Sequence, residues 1–321
     1  MILLYRALGK LIKQLLEIGW LRGPMLRHLA IENFLLKLRI SKIPRVWFHA
    51  SSVGELEALW PLIEILGAEG PSAPEVIITV YSRSAGNHLN RLVARYSFQN
   101  ILFAGYSPCE GAWKNAFLRA KPSLFITLKY EAWPDLWASL SECKIPLWIF
   151  GAQLRRSLQV AKWMLLGSGM SLPKLSFFPY RASHRESLLK FSRDARLKIF
   201  PDPRWERAAS RMAVESLDAK RLIDQFRQLP RPWLVMGSVY ASDLDFLLQG
   251  DEWKKFTGTL WLFPHRIEPT SCDRIAITAK HQGFKVVYST AVSGGDARLS
   301  ADRPAVLVNQ MGFLLEFYRY A

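Results

Sequence analysis

From Val46 onward the chain repeats one rhythm, in which a short apolar run is followed by a turn and then by a segment of helical length. The first run begins at Val46 and gives way to the small-residue turn Ala50-Ser51-Ser52. Further runs occupy 75–81, 100–104, 123–128 and 146–150, with helical patterns over 55–66, 85–95, 111–120 and 133–142. Apolar runs of this length, separated by amphipathic segments, specify a mostly parallel sheet covered by helices. Ligands of such open sheets gather at the carboxyl ends of the strands. Residues 51–55, 129–131 and 151–155 all fall at such ends, so three of them share one rim. The proline-broken stretch 200–205 reads as a linker. A second set of runs follows, at 233–236, 260–263, 285–288 and 305–308. Its strand ends carry Gly237-Ser238, Pro264-His265-Arg266 and Gln310-Met311-Gly312. The expectation is therefore an α/β chain of two Rossmann-like open-sheet domains facing a cleft. A length of 321 residues gives each domain enough chain for its own core.

The formal charge of +16 calls for anionic company: a phospholipid surface, a phosphorylated substrate or nucleic acid. Nucleic acid is disfavoured, because there is no zinc-finger spacing, no RNP-like aromatic motif and no heptad-linked basic region. Cys109, Cys143 and Cys272 are odd in number and unclustered, with no CxxC and no histidine at ligand spacing. That pattern implies a reducing compartment and no structural metal. Residues 1–20 form a strongly amphipathic pattern, with Arg6, Lys10, Lys13, Gln14 and Glu17 on one narrow helical face. Its charges argue against a spanning helix, and it lacks the cleavage site and unbroken apolar region of a secretory signal. Residues 1–45 hold nine Lys/Arg against two Glu. Such a segment suits a helix lying in an anionic membrane surface, and equally a helix packed on its own domain.

Glu55 is the residue with two readings. Ser52-x-x-Glu55 fits a capping box, in which the glutamate reaches back to the helix N-terminus and closes it. The same position, at a strand end beside free backbone amides, also suits a catalytic carboxylate. Glu131 divides likewise: Pro134 belongs to a first helical turn, where acids are favoured for structural reasons alone.

The strings His49-Ala50-Ser51-Ser52-Val53-Gly54-Glu55, Tyr130-Glu131-Ala132-Trp133-Pro134-Asp135, Pro264-His265-Arg266 and Asn309-Gln310-Met311-Gly312 together resemble the 3-deoxy-D-manno-octulosonic acid (Kdo) transferases. These are membrane-associated GT-B glycosyltransferases of lipopolysaccharide synthesis. The similarity runs in order along the chain, and its first two motifs are the specific ones. The resemblance implies an inverting transfer of Kdo from CMP-Kdo to a lipid A precursor (lipid IVA). The enzyme would lie peripherally, as a monotopic protein, on the cytoplasmic face of the inner membrane. It implies no cofactor beyond the donor substrate, and no metal.

Three domains follow from it: a membrane-associating segment (1–45), an acceptor-binding domain (46–200) and a CMP-Kdo donor domain (201–321). Glu55 matches the family's general base. Glu131 matches a second carboxylate that stabilises the transition state or positions the acceptor. Arg204 matches a basic residue that meets the leaving phosphate or the donor carboxylate; in a linker, an arginine is otherwise simply solvated. Ser238, Pro264, His265, Arg266, Met311, Gly312 and Phe313 match the CMP contacts. Each of these also has an ordinary reading, as a turn, a cap, an exposed side chain or core.

The chain departs from the family at Lys129, where many members have an acid, and at Gln153, where an arginine is usual. It departs again at Ser107, where an aspartate is common, and at Phe313, where a glutamate is frequent. The family also continues beyond the position of Ala321, which gives the expectation of an incomplete second domain and of an uncertain active state. Two rival readings remain: a GT-B transferase using another nucleotide sugar, and an inactive membrane-surface binding protein on the same scaffold.

Overall fold

A computed structural model describes the chain except for residues 18–27, 29, 40, 69–72, 97, 130, 214–216, 251, 252, 254, 293–301, 311, 319 and 321. The described strands are β1 (Arg45–Ala50), β2 (Glu75–Val80), β3 (Ile101–Tyr106), β4 (Leu124–Leu128), β5 (Leu147–Phe150), β6 (Leu175–Phe178), β7 (Arg196–Leu197), β8 (Trp233–Val239), β9 (Thr259–Pro264), β10 (Lys285–Tyr288) and β11 (Pro304–Leu307). They form a seven-stranded sheet of order β3-β2-β1-β4-β5-β6-β7 and a four-stranded sheet of order β10-β11-β9-β8. Every pairing is parallel. The α/β class with two Rossmann-like open sheets is thus observed. β6 and β7 extend the first sheet beyond the five strands that the apolar runs announce. β7, with two residues, is too short to carry a period, and the run of β6 is interrupted by the polar Ser176.

The chain divides into two compact units, Met1–Arg207 and Ala208–Ala321. In the first, β1 is the central strand, and all six of its residues are buried. Side chains alternate across a strand, so Val46, Phe48 and Ala50 share one core with Leu59, Trp60 and Leu89, which lie on the helices Val53–Ala68 and Arg83–Tyr96. Trp47 faces the other core, with Trp113, Phe117 and Phe125 at ring separations of 5.3 to 6.1 Å. A strand covered on both faces reads as continuous apolar sequence, which is why Val46–Ala50 stands out. The order reverses between β1 and β4, the topological switch point of the sheet.

The N-terminal helix Ile2–Glu17 packs on this unit through Ile2, Tyr5, Arg6 and Gly9. The Arg6 guanidinium turns inward: Nε donates to Asp135 Oδ1 at 2.6 Å, and its two Nη atoms donate to Glu142 at 3.0 and 2.9 Å. Gly9 lies against the chain at Glu110, where a Cβ would come within 2.4 Å of the backbone oxygen. Arg6 is therefore withdrawn from the basic face that the sequence suggests. Leu3, Leu4, Leu8 and Leu11 instead remain more than half exposed. Lys10 is exposed, while the Lys13 side chain, Trp20, Arg22 and Arg27 lie outside the described residues. No helix among the described residues is long and apolar enough to cross a membrane.

The second unit builds its cores on both faces of the smaller sheet, around Leu260 and Leu262 on one side and Trp261, Phe263 and Phe317 on the other. A bulge in β8 places Ser238 at φ +58° between Gly237 and Val239.

Candidate active site

At the carboxyl end of β1 the turn Ser51-Ser52 leads into the helix Val53–Ala68, and the capping box is formed. Glu55 Oε2 accepts from the Ser51 amide at 2.8 Å and the Ser52 amide at 3.2 Å, while Ser52 Oγ accepts from the Glu55 amide at 3.3 Å. Only one carboxylate oxygen is used. Oε1 accepts no hydrogen bond among the described residues and is left for a further donor. Burial, and then the neighbouring charge of Glu131, raises the Glu55 pKa above the ordinary carboxylate value. The two amides and the ammonium of Lys129 pull the other way.

The end of β4 supplies the second carboxylate. Lys129 adopts φ +50°, and its amide donates to the Phe150 carbonyl at 2.8 Å, which turns the chain so that Glu131 is brought beside β1. Glu131 is only 7% exposed. Its Oε2 accepts from the Trp133 indole at 2.6 Å and lies 3.7 Å from His49 Nε2. The following helix Pro134–Glu142 has Trp133 at its N-cap with no side-chain cap, so Glu131 is not spent on closing it. Burial raises the Glu131 pKa. The Ser51 hydroxyl lies near enough to favour the charged form, yet makes no hydrogen bond of normal geometry. Complete burial lowers His49 to about 3, so this contact joins a neutral imidazole to the carboxyl group.

Arg204 sits at the start of the helix Pro203–Ala213, inside the first unit. Its Nε donates to both oxygens of Asp202, at 3.0 and 2.9 Å, and half of its side chain is exposed. Tyr180 links this pair to the carboxylates. Burial and then Asp202 push its pKa up, with Arg204 and Glu55 both in electrostatic range. Its hydroxyl is buried and has no hydrogen-bond partner among the described residues. The ring lies against Gly151, whose φ is +62° and where a Cβ would come within 2.7 Å of the ring, so there is no room for one. The structure thus brings Glu55, Glu131 and Arg204 into one neighbourhood and adds Lys129, Asp202, Tyr180 and His49. Tyr180 carries no motif in the sequence, and β6, whose end it follows, is interrupted by Ser176 and does not read as an apolar run.

In the second unit a cavity of about 280 Å³ is lined by Val239, Tyr240, Ser242, Arg266, Ser271 and Arg274. Two guanidinium groups and two hydroxyls suit an anion. Arg266 lines it directly, and His265 lies 4.8 Å from the Tyr240 ring. Pro264 ends β9, and Ser238 occupies the bulge preceding Val239 and Tyr240. Gly312 follows β11 with φ +101°, and Phe313 packs with Phe317 against the Trp261 side of the sheet. Met311 lies outside the described residues. Arg274, Ser242 and Ser271 carry no motif, and only the fold reveals them. Among the described residues no three His, Cys, Asp or Glu side chains group as metal ligands would.

A model of the family described as 3-deoxy-D-manno-octulosonic-acid transferase (kdotransferase) matches residues 27–178, which span β1 to β6 and include Glu55 and Glu131. The match, over a little under half of the chain, supports the Kdo transferase family for this domain. The domain supports glycosyltransferase activity, of the kind concerned with Kdo transfer. Among solved structures, the chain is similar to UDP-N-acetylglucosamine 2-epimerase from Rickettsia bellii. The TM-score is 0.48 and the identity 11%, over 83% of this chain and 69% of that one.

Proposed function

We propose that the chain transfers Kdo from CMP-Kdo to a lipid A precursor with inversion, working at the cytoplasmic surface of the inner membrane. One observation carries this reading. In a Kdo transferase domain, Glu55 holds one oxygen on two backbone amides and keeps the other without a partner among the described residues, at the switch point of the sheet. An acceptor hydroxyl donates to that second oxygen. As the acceptor oxygen forms its bond to the anomeric carbon, the bond to the CMP phosphate breaks and the proton passes to Glu55. A positioned base of this kind contributes about 10²- to 10⁴-fold to rate. Glu131 and its indole donor position the acceptor sugar. Arg204, oriented by Asp202, supplies a cation on the first unit, and the second unit carries its own anion-suited pair, Arg266 and Arg274. CMP leaves as an anion, so these cations, rather than a strong acid, are what its departure needs. The exposed leucines of the N-terminal helix support seating at a bilayer surface.

The test is a donor panel with a lipid A precursor in detergent. Kdo transfer from CMP-Kdo with inverted anomeric configuration is expected. Turnover with a uridine or guanosine sugar, and none with CMP-Kdo, overturns the reading.

A further inference from the structure

Beneath the N-terminal helix lies a cavity of about 230 Å³ that the transfer chemistry does not use. Its walls are the side chains of Tyr5, Leu8, Tyr81, Pro108, Trp113 and Trp133, with Cys109 beside them. Polar groups that also line it are engaged in hydrogen bonds. His28 Nδ1 meets the Ser107 carbonyl at 2.8 Å, and His49 Nδ1 meets Thr79 Oγ1 at 3.0 Å. Glu110 Oε1 accepts from the Trp113 indole at 3.0 Å, and its Oε2 accepts from the Asp135 amide at 3.2 Å. Burial raises Glu110 to about 7, which reduces its charge near neutrality, and His49 is neutral. What faces the space is mainly ring and hydrocarbon. An apolar cavity of roughly 150 Å³ already stays dry and accepts benzene, so this one has room for a flexible chain.

Two further observations say what occupies it. The cavity adjoins the carboxylate site: Trp133 lines it and donates to Glu131, and His49 lines it 3.7 Å from the same carboxyl oxygen. At the other side stands Leu8, 57% exposed, on the helix face that also leaves Leu3, Leu4 and Leu11 in the open. A molecule bound here has a polar end at Glu131 and an apolar body running toward a hydrocarbon-compatible surface. That is an amphiphile, and at this site the amphiphile is the acceptor. We propose that the cavity is an acyl-chain subsite that takes a hydrocarbon chain of the glycolipid acceptor and sets its sugar at Glu55 and Glu131. The proposal rests on the reading of those carboxylates as the acceptor end of the transfer.

The experiment uses acceptor glycolipids that differ only in acyl length, together with versions brominated on the chain to quench tryptophan emission. KM is expected to rise about fourfold for each methylene removed from the buried part of the chain. The brominated acceptor should quench more strongly than its unbrominated twin. Cys109→Phe, which fills the space, and Leu8→Asp, at an exposed position that does not endanger folding, should each raise KM for long-chain acceptors and flatten the length dependence. A KM independent of chain length in the unaltered protein overturns the subsite while leaving the transfer reading intact. Equal quenching by brominated phospholipid vesicles without acceptor overturns the choice of occupant. If CMP-Kdo gives no transfer but brominated acceptor still quenches, and Leu8→Asp abolishes the quench, the subsite stands and the transfer reading falls.

Discussion

The first two turns of the helix Val53–Ala68 carry two glutamates that meet opposite fates. Glu55 faces the strand-end rim, where burial and Glu131 raise its pKa and one oxygen is left without a partner. Glu57, two residues on, faces the helix Arg83–Tyr96 and Arg207. Burial opposes its charge there too, yet His88 Nε2 contacts Oε1, Arg207 Nε donates to Oε2 at 2.7 Å, and the pKa is held at about 2. One carboxylate is saturated and the other is restrained but incomplete. The contrast separates a charge that holds the fold from a charge placed to accept a proton.

Exchanging the two glutamates for glutamine, one at a time, is the sharpest way to break this comparison. Glu55→Gln should lower transfer by about 10²- to 10⁴-fold, because the base is lost while an oxygen remains for the two amides. Its melting temperature should hardly move. If turnover stays near normal and stability falls instead, Glu55 is only a cap.

The Glu57 side is expected to behave inversely. Arg207 donates to Glu57, to Glu64 Oε1 at 3.0 Å and to Tyr96 Oη at 2.8 Å, with 7% of its side chain exposed. Arg207→Ala removes this buried cation from Glu64 and leaves Glu57 with His88 alone among the described residues, and should cost roughly 3–5 kcal/mol in denaturant unfolding. The folded-state pKa of Glu57 is below its unfolded value, so its contribution is complete above about 4.5 and is lost as pH falls toward about 2. Acid unfolding of Glu57→Gln should therefore show a shallower loss of stability across that window than the unaltered chain. An unchanged profile would mean that Glu57 is no structural charge.

The neighbours of Glu55 give a finer test through the acid limb of kcat/KM, which should lie above the ordinary carboxylate range. Lys129 lowers the Glu55 pKa and Glu131 raises it. Lys129→Ala should consequently move the limb to higher pH, and Glu131→Gln should move it to lower pH. Movement of both in one direction would show that the limb belongs to another group.

These contrasts were only partly legible in the sequence. β1, β2, β4, β5, β9 and β11 show as apolar runs because they are buried on both faces, β3, β8 and β10 show although they are only partly buried, and Ser52-x-x-Glu55 announces its cap because that bond spans three residues. The fate of Glu57 is invisible there, since Arg207 lies 150 positions away. The same is true of the pairing of Arg6 with Asp135 and Glu142, which turns a charge of the basic face inward. Tyr180 and the apolar cavity exist only because separate strand ends and the N-terminal helix meet. Local chemistry is written locally, and the convergence that makes it usable is not.

The smallest effect addresses the cap by itself. In Ser52→Ala the bond from the Glu55 amide to Ser52 Oγ is removed, while the Ser51 and Ser52 amides still hold Glu55 Oε2. N-cap replacements of this type cost about 1 kcal/mol, and the 3.3 Å length places this one toward the lower end. Stability should therefore fall slightly and transfer should persist, the reverse of Glu55→Gln. A loss of transfer in Ser52→Ala comparable to that in Glu55→Gln would show that the helix end, rather than the free carboxylate oxygen, is what the reaction requires.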